Sequence, residues 1–401
     1  MALDNLDIEK HSIRDRVISI LNGQTPDRLP FIDRMDFWYK YHIQKGTLPD
    51  EYLGMTLVDI HKDVGIGMEA WQLPYTYKYH EVEVVSTLNG DELFHEYEPM
   101  LDYFPAIWDM IPEDRVGITT TEFITPKGNL VVRHEMVERS IAEGARSYVI
   151  ERAIKEEDDY LIFEHIVERA EFVPKFEEFY TTENELGEHA FLVPNIERIP
   201  FQSLLLDVLG ELNLFYALYD YPKLLERLIK VLHIQTKEKI KKLDDFKVPY
   251  VEFVDNLDGF MTNPNLFAQY CLPSYQEYSE MLNHQGKQVG SHTDGDLKSL
   301  LKLIAQSGLN VCESFTPAPT TGCPFEEAWN AWHNGPIIWG GIPSSYLEER
   351  ISENEFREFI EFLLELIGDR PIILGVGDAV MSDNLIERVS YIAQRVEEHR
   401  P

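Results

Sequence analysis

The apolar positions of this chain change period along its length. Ile13, Val17, Ile20 and Leu21 recur at helical spacing among polar and charged residues, which predicts a helix from about Ile8 to Leu21. Gly23, Pro26 and Asp27 mark a turn, and Leu29-Pro30-Phe31-Ile32 reads as a short buried strand. Residues 45–135 follow neither period and are rich in aromatic residues, Gly and Pro. Val82-Glu83-Val84 and the run from Gly128 to Arg133 alternate or are β-branched, so this stretch predicts short antiparallel strands and loops. It is expected to form an insertion over a barrel mouth, with Tyr75, Tyr77, Tyr97, Tyr103 and Phe104 toward its inner side.

From about residue 155 the alternation is regular. Helical stretches near 155–180 and 211–245 separate apolar runs at 190–194 and 249–254. Lys287–Ser291 precedes a helix-like 296–307, and 309–314, 336–341 and 371–375 have strand character. Strands separated by helix-length segments predict parallel βα units; their number and total length favour a closed (β/α)8 TIM barrel over a doubly wound sheet. The expectation is a single α/β domain over 1–401, with an N-terminal extension and an inserted α/β or β-rich region at about 45–135. Ser352 and Glu355 have capping-box spacing before the stripe Phe356, Ile360, Leu363 and Ile367. Asp383 is expected to cap the last helix, striped by Ile386, Val389, Ala393 and Val396.

Composition narrows the function classes. At 44% apolar and 26% charged, 401 residues bury a large core. A formal charge of -34 repels phosphate backbones and anionic bilayers, so neither nucleic acid nor membrane is an expected partner. No tract is long and apolar enough to cross a bilayer, and Met1-Ala2-Leu3-Asp4 lacks a basic-then-apolar signal, so a cytoplasmic location is expected. Cys271, Cys312 and Cys323 form neither a dense disulfide pattern nor a Cys-x-x-Cys knuckle.

The sharpest chemical signal is His292-Thr293-Asp294-Gly295-Asp296, directly after a strand and before a helix. In a barrel that position is the C-terminal mouth, where catalytic side chains collect. His292 and Asp294 are suitable Zn²⁺ ligands, Gly295 permits the bend that would bring them together, and Asp296 reads as a helix N-cap. A purely structural His-Asp pair is the alternative. The next strand ends at Cys312-Glu313, with Glu313 the preferred pocket residue and Cys312 the soft-ligand alternative. Asp378, after Gly375-Val376-Gly377, offers a further carboxylate at the same mouth. Asp255 or Asn256 could reach substrate or cofactor, and Gln202 is a weaker candidate. After the first strand, Asp33, Arg34, Asp36, Trp38, Tyr39, Tyr41 and His42 suit either a pocket, where charge orients a ligand and rings bury it, or a plain helix surface. No glycine-rich segment fits a dinucleotide fingerprint or a P-loop, and no Ser-His-Asp order identifies a hydrolase.

Several segments resemble one superfamily. Arg14-Asp15-Arg16-Val17 with Asn22 to Pro30, the strand–His-x-Asp-Gly–helix–strand block at 288–313, and Gly377-Asp378 through Asp383 are together similar to uroporphyrinogen decarboxylase-like proteins. The resemblance implies a (β/α)8 barrel, often a homodimer, with its cleft at the C-terminal face. The decarboxylase branch acts without a cofactor and carries an arginine-rich N-terminal loop; Phe31 to Trp38 here has only Arg34, between Asp33 and Asp36. In the other branch, zinc-dependent methyltransferases serving corrinoid proteins, a His-x-Cys pair looks like His292-x-Asp294, and a later Cys matches best near Asp378. Both soft ligands are carboxylates here, which suits Zn²⁺ acting as a Lewis acid on an ether or hydroxyl oxygen better than a zinc thiolate.

The resemblance thus implies an O-demethylase component: a methyl group leaves a methoxylated small molecule, with aromatic ones among the candidates, for the corrinoid of a partner protein. His292, Asp294 and Asp378 or Glu313 would hold Zn²⁺, and Trp38 and Tyr39 would shape the substrate cavity. A cofactor-free decarboxylase and a non-catalytic binding or scaffold protein are the competing readings.

Overall fold

A computed structural model describes residues 11–105 and 111–399. Eight parallel strands pair in chain order: Ile32–Asp33, Gly67–Gln72, Ala190–Ile196, Tyr250–Phe253, Gln288–His292, Val311–Phe315, Ile337–Ile342 and Ile372–Val376. A parallel bridge between Phe31 and Leu374 joins the last strand to the first, so the sheet closes into the expected barrel. Burial on both faces explains the near-continuous apolar runs; all seven residues of Ala190–Ile196 are buried.

The N-terminal helix, Ile13–Leu21, begins after Ser12, whose side chain and that of Asp15 cap each other's backbone N–H groups. Its expected start at Ile8 lies outside the described residues. The helix plugs the barrel floor: Val17, Ile20 and Leu21 pack against Ile32, Phe191, Val193, Tyr250, Val311, Trp339 and Ile373.

The segment read as an insertion at 45–135 contains a barrel unit. Helix Leu57–Val64 and strand Gly67–Gln72 form part of the barrel, and the antiparallel addition runs from Tyr75 to Pro174. Gly67-Met-Glu-Ala-Trp-Gln escaped recognition because it turns Glu69 and Trp71 toward the site, breaking the apolar run of a buried strand. The addition leaves from the C-terminal end of the second strand. It comprises a three-stranded sheet (Ala170–Pro174, Tyr75–Tyr79, Met100–Leu101) and a five-stranded one (Asp91–Tyr97, Glu83–Leu88, Gly117–Thr125, Gly128–Met136, Tyr148–Glu151). Tyr75 and Tyr77 are buried within it, whereas Tyr97 is 68% exposed on an edge strand.

Three local expectations are corrected. Residues 155–180 are not one helical stretch, because strand Ala170–Pro174 separates helices Asp159–Glu168 and Phe176–Leu186. The helix expected at 296–307 contracts to Leu301–Ile304, so Asp296 caps no helix; it accepts from Lys298 N and Gly322 N, pinning one mouth loop to another. The last helix, Ile386–Glu398, starts beyond Asp383 with no side-chain cap, while Ser352 does cap Glu353–Ile367 through Glu355 N. No helix among the described residues is long and apolar enough to cross a membrane.

Candidate metal centre

His292 ends the fifth strand and stands across from Glu313 on the sixth. Its Nδ1 lies 2.5 Å from Glu313 Oε2. On the other side of the ring, Nε2 is 3.7 Å from both Asp294 Oδ2 and Asp378 Oδ1. Trp71 packs against the imidazole in a T-shaped contact, 5.0 Å between ring centroids. The ring is buried, while the side chains of Asp294 and Asp378 are 26% and 35% exposed, so the cluster opens to solvent on the carboxylate side.

Backbone strain gathers here. Six non-glycine residues have positive φ among the described residues; Glu81, Asn89 and Glu98 lie in turns of the added sheets, and Asn256, Ser314 and Asp378 all lie at the mouth. Such conformations cost of order 1–3 kcal/mol each and persist where surrounding contacts over-determine them. Those contacts are present. Ser314, at φ 60°, sits where the register slips between Cys312 and Phe315, and its Oγ accepts from Asp378 N at 2.7 Å. Regular pairing with the fifth strand sets Glu313 opposite His292, and Cys312 turns into the apolar core, so Cys312 is no ligand alternative. Arg34 Cζ lies over the Trp71 ring, 3.8 Å from its centroid, and Nη2 donates to Asp378 O and Oδ1 at 2.9 Å each.

Electrostatics separate the site into two levels. Burial opposes charge on His292, but the carboxylates of Glu313 and Asp294 outweigh it and hold the imidazole well above its ordinary value. Asp294 is pushed down to about 2: burial acts upward, and His292 and the Asn256 hydrogen bond overcome it. Below the mouth, Glu69, Glu252 and Glu313 project inward from the second, fourth and sixth strands, the alternate-strand layering of such barrels. Burial, with Glu313 adding repulsion, raises Glu69 and Glu252 well above the carboxylate range. Each has its own donors: Trp71 Nε1 on Glu69 at 2.5 Å, and Tyr250 Oη at 2.6 Å and Asn195 Nδ2 at 3.3 Å on Glu252.

Among the described residues, two groups of side chains bring donor atoms within 4.8 Å of one another, Glu252–His292–Glu313 inside the barrel and His292–Asp294–Asp378 at its mouth. The mouth group fits zinc. Donors bound at 2.0–2.2 Å around a tetrahedral ion stand roughly 3.3–3.6 Å apart, so the 3.7 Å separations need only a few tenths of an ångström of closure. Three protein donors with an accessible fourth side is the catalytic zinc pattern, and a carboxylate on the far ring nitrogen is the usual orienting partner of a ligating histidine.

The other residues singled out from sequence are placed as follows. Asp33 is buried at the barrel seam, its oxygens accepting from Arg34 N and Val376 N. Trp38 and Tyr39 turn to the following segment, Trp38 against Tyr52 and Tyr39 donating to Met55 O, so the ring beside His292 is Trp71 instead. Asp255 is buried and accepts from Tyr275 Oη, Ser291 Oγ and Ile199 N, and Gln202 is tied to Thr262. Asn256 reaches Asp294. Sequence reading missed Glu69, Trp71, Glu252 and Arg198. The signal for Glu252 was legible in principle: a lone acid inside Tyr250-Val-Glu-Phe253, a strand buried on both faces, requires buried partners.

Fold and cluster together define a (β/α)8 barrel with a candidate His–carboxylate metal centre at its C-terminal face. No protein-family model matches the chain, and no curated protein matches it in sequence. Among solved structures it is similar to a methyltransferase from Methanosarcina mazei, with a TM-score of 0.55 over 97% of this chain and 99% of that one, at 11% identity. At that identity the likeness is one of fold.

Proposed function

We propose that this protein is a zinc-dependent methyltransferase that moves a methyl group from a methoxylated small molecule to the Co(I) corrinoid of a separate carrier protein. The observation that carries the reading is the histidine with one nitrogen fixed by a buried carboxylate and the other facing two carboxylates at an open mouth. The fold shared with a methyltransferase supports it. His292, Asp294 and Asp378 would hold the ion, with Glu313 behind His292 as its orienting partner. Bound there, zinc supplies Lewis acidity toward an ether oxygen.

The chain's own residues do the rest. Glu313 fixes which imidazole nitrogen faces the mouth, Arg34 holds Asp378 in place, and Trp71 supports both Arg34 and His292. In the transfer the C–O bonding pair stays on oxygen, and the Co(I) pair forms the new bond to carbon. Arg34 and Arg198, each paired with an aspartate, leave no guanidinium of theirs to gather several substrate carboxylates, which disfavours the decarboxylase reading.

Two measurements test the proposal. The purified parent should carry about one zinc per chain, as a single catalytic site requires, and His292→Ala should lose it; unchanged occupancy in the variant rejects His292 as a ligand. The zinc-loaded parent, mixed with reduced cobalamin and a panel of methoxylated aliphatic and aromatic compounds, should convert Co(I) to methyl-Co(III) with at least one donor. No transfer from any member rejects the methyltransferase.

A further inference from the structure

Asp294 is held by a chain of polar side chains that leads away from the mouth. Asn256 Nδ2 donates to Asp294 Oδ2, the oxygen nearest His292 Nε2, at 3.0 Å. Its carboxamide oxygen accepts from Arg198 Nη1 at 2.7 Å. The same Nη1 donates to Val254 O, and Nε faces both Asp207 oxygens at 3.2 and 3.3 Å. Arg198 and Asp207 are only 15% and 7% exposed. One guanidinium therefore fixes a carboxamide from two directions, through its oxygen and through the backbone two residues before it. Asn256 itself is at φ 48°, a strained conformation that these bonds maintain.

We infer that Arg198 and Asn256 are positioning residues of the metal centre, holding Asp294 with Oδ2 turned toward His292 Nε2 before an ion arrives. Asp207 anchors Arg198 in turn. The inference rests on the proposed metal reading and adds to it the reason that a short, partly exposed aspartate keeps one orientation. Only arginine suits the central place, because it alone presents several fixed donors in a plane; a lysine at 198 keeps the charge but cannot make all these bonds at once.

Asn256→Gly is the informative variant. It removes the carboxamide, and glycine adopts the positive φ without strain, so the fold is spared. Zinc affinity, measured by competition with a chromophoric chelator, should fall about 10–100-fold in Asn256→Gly and in Arg198→Lys, the range expected when an outer partner of a ligand is lost. The visible spectrum of the cobalt-substituted protein should shift in both, while the unfolding temperature of metal-free Asn256→Gly stays close to the parent's. Parental zinc affinity and cobalt spectrum in both variants, with zinc lost in His292→Ala, would overturn this inference alone. A parent that binds no zinc would overturn the metal reading, and this inference with it.

Discussion

Replacing Asp378 with asparagine changes the ligand chemistry while keeping the local backbone in place. Asp378 sits at φ 68°, a conformation that asparagine tolerates better than other side chains apart from glycine, so the backbone is not disturbed. Its main-chain bonds are also kept, since Arg34 still reaches the carbonyl oxygen and Ser314 Oγ still accepts from the backbone N–H. What changes is charge. A doubly charged ion and a carboxylate oxygen about 2.1 Å apart attract by about 4 kcal/mol even at the dielectric constant of water. The amide oxygen retains part of that attraction, so a loss of about 3 kcal/mol, roughly a hundredfold in zinc affinity, is a conservative expectation.

The metal-free variant should be modestly less stable than the parent, by about 1–3 kcal/mol, because the neutral amide gives up the ion pair with the buried Arg34 guanidinium. Chelator competition measures the first quantity and thermal unfolding of the metal-free protein the second. Parental zinc affinity in Asp378→Asn would refute the mouth group as the ligand set and favour the inner Glu252–His292–Glu313 group.

Two further expectations concern the scaffold. His61 is fully buried, and burial lowers it to about 4 despite the carbonyl oxygens of Leu57 and Asp33 at its two nitrogens. The unfolded chain therefore takes up this proton below pH 6.5 and the folded chain does not until about pH 4. Stability from this group is full above 6.5 and is lost as pH falls, by up to about 3 kcal/mol. Urea unfolding at pH 7.5 and 4.5 should show a smaller acid loss in His61→Gln, and an equal loss would reject the argument. A methyl group on Gly290 would lie 1.8 Å from Tyr250 Oη, which is bonded to Glu252, so Gly290→Ala should destabilise by about 1–3 kcal/mol through overpacking. Parental thermal stability would mean that Tyr250 is free to move.

The sequence by itself determined the barrel's second half and the heart of the site. From residue 190 onward most strands carry short apolar runs between helix-length segments, because strands buried on both faces favour apolar side chains on both. A histidine and an aspartate two residues apart at a strand end were readable for the same local reason. The second strand was not, since Glu69 and Trp71 serve the interior layer and conceal the pattern that local reading depends on. Only the tertiary structure brought Asp378 and Glu313 to opposite sides of one imidazole, across separations of 86 and 21 residues. It also exposed the line from Arg198 through Asn256 to Asp294. Strand pairing sets Glu313 against one nitrogen, while barrel closure and the bulge at Ser314, which holds Asp378 N, bring Asp378 to the other, and none of these leaves a periodic trace in the chain.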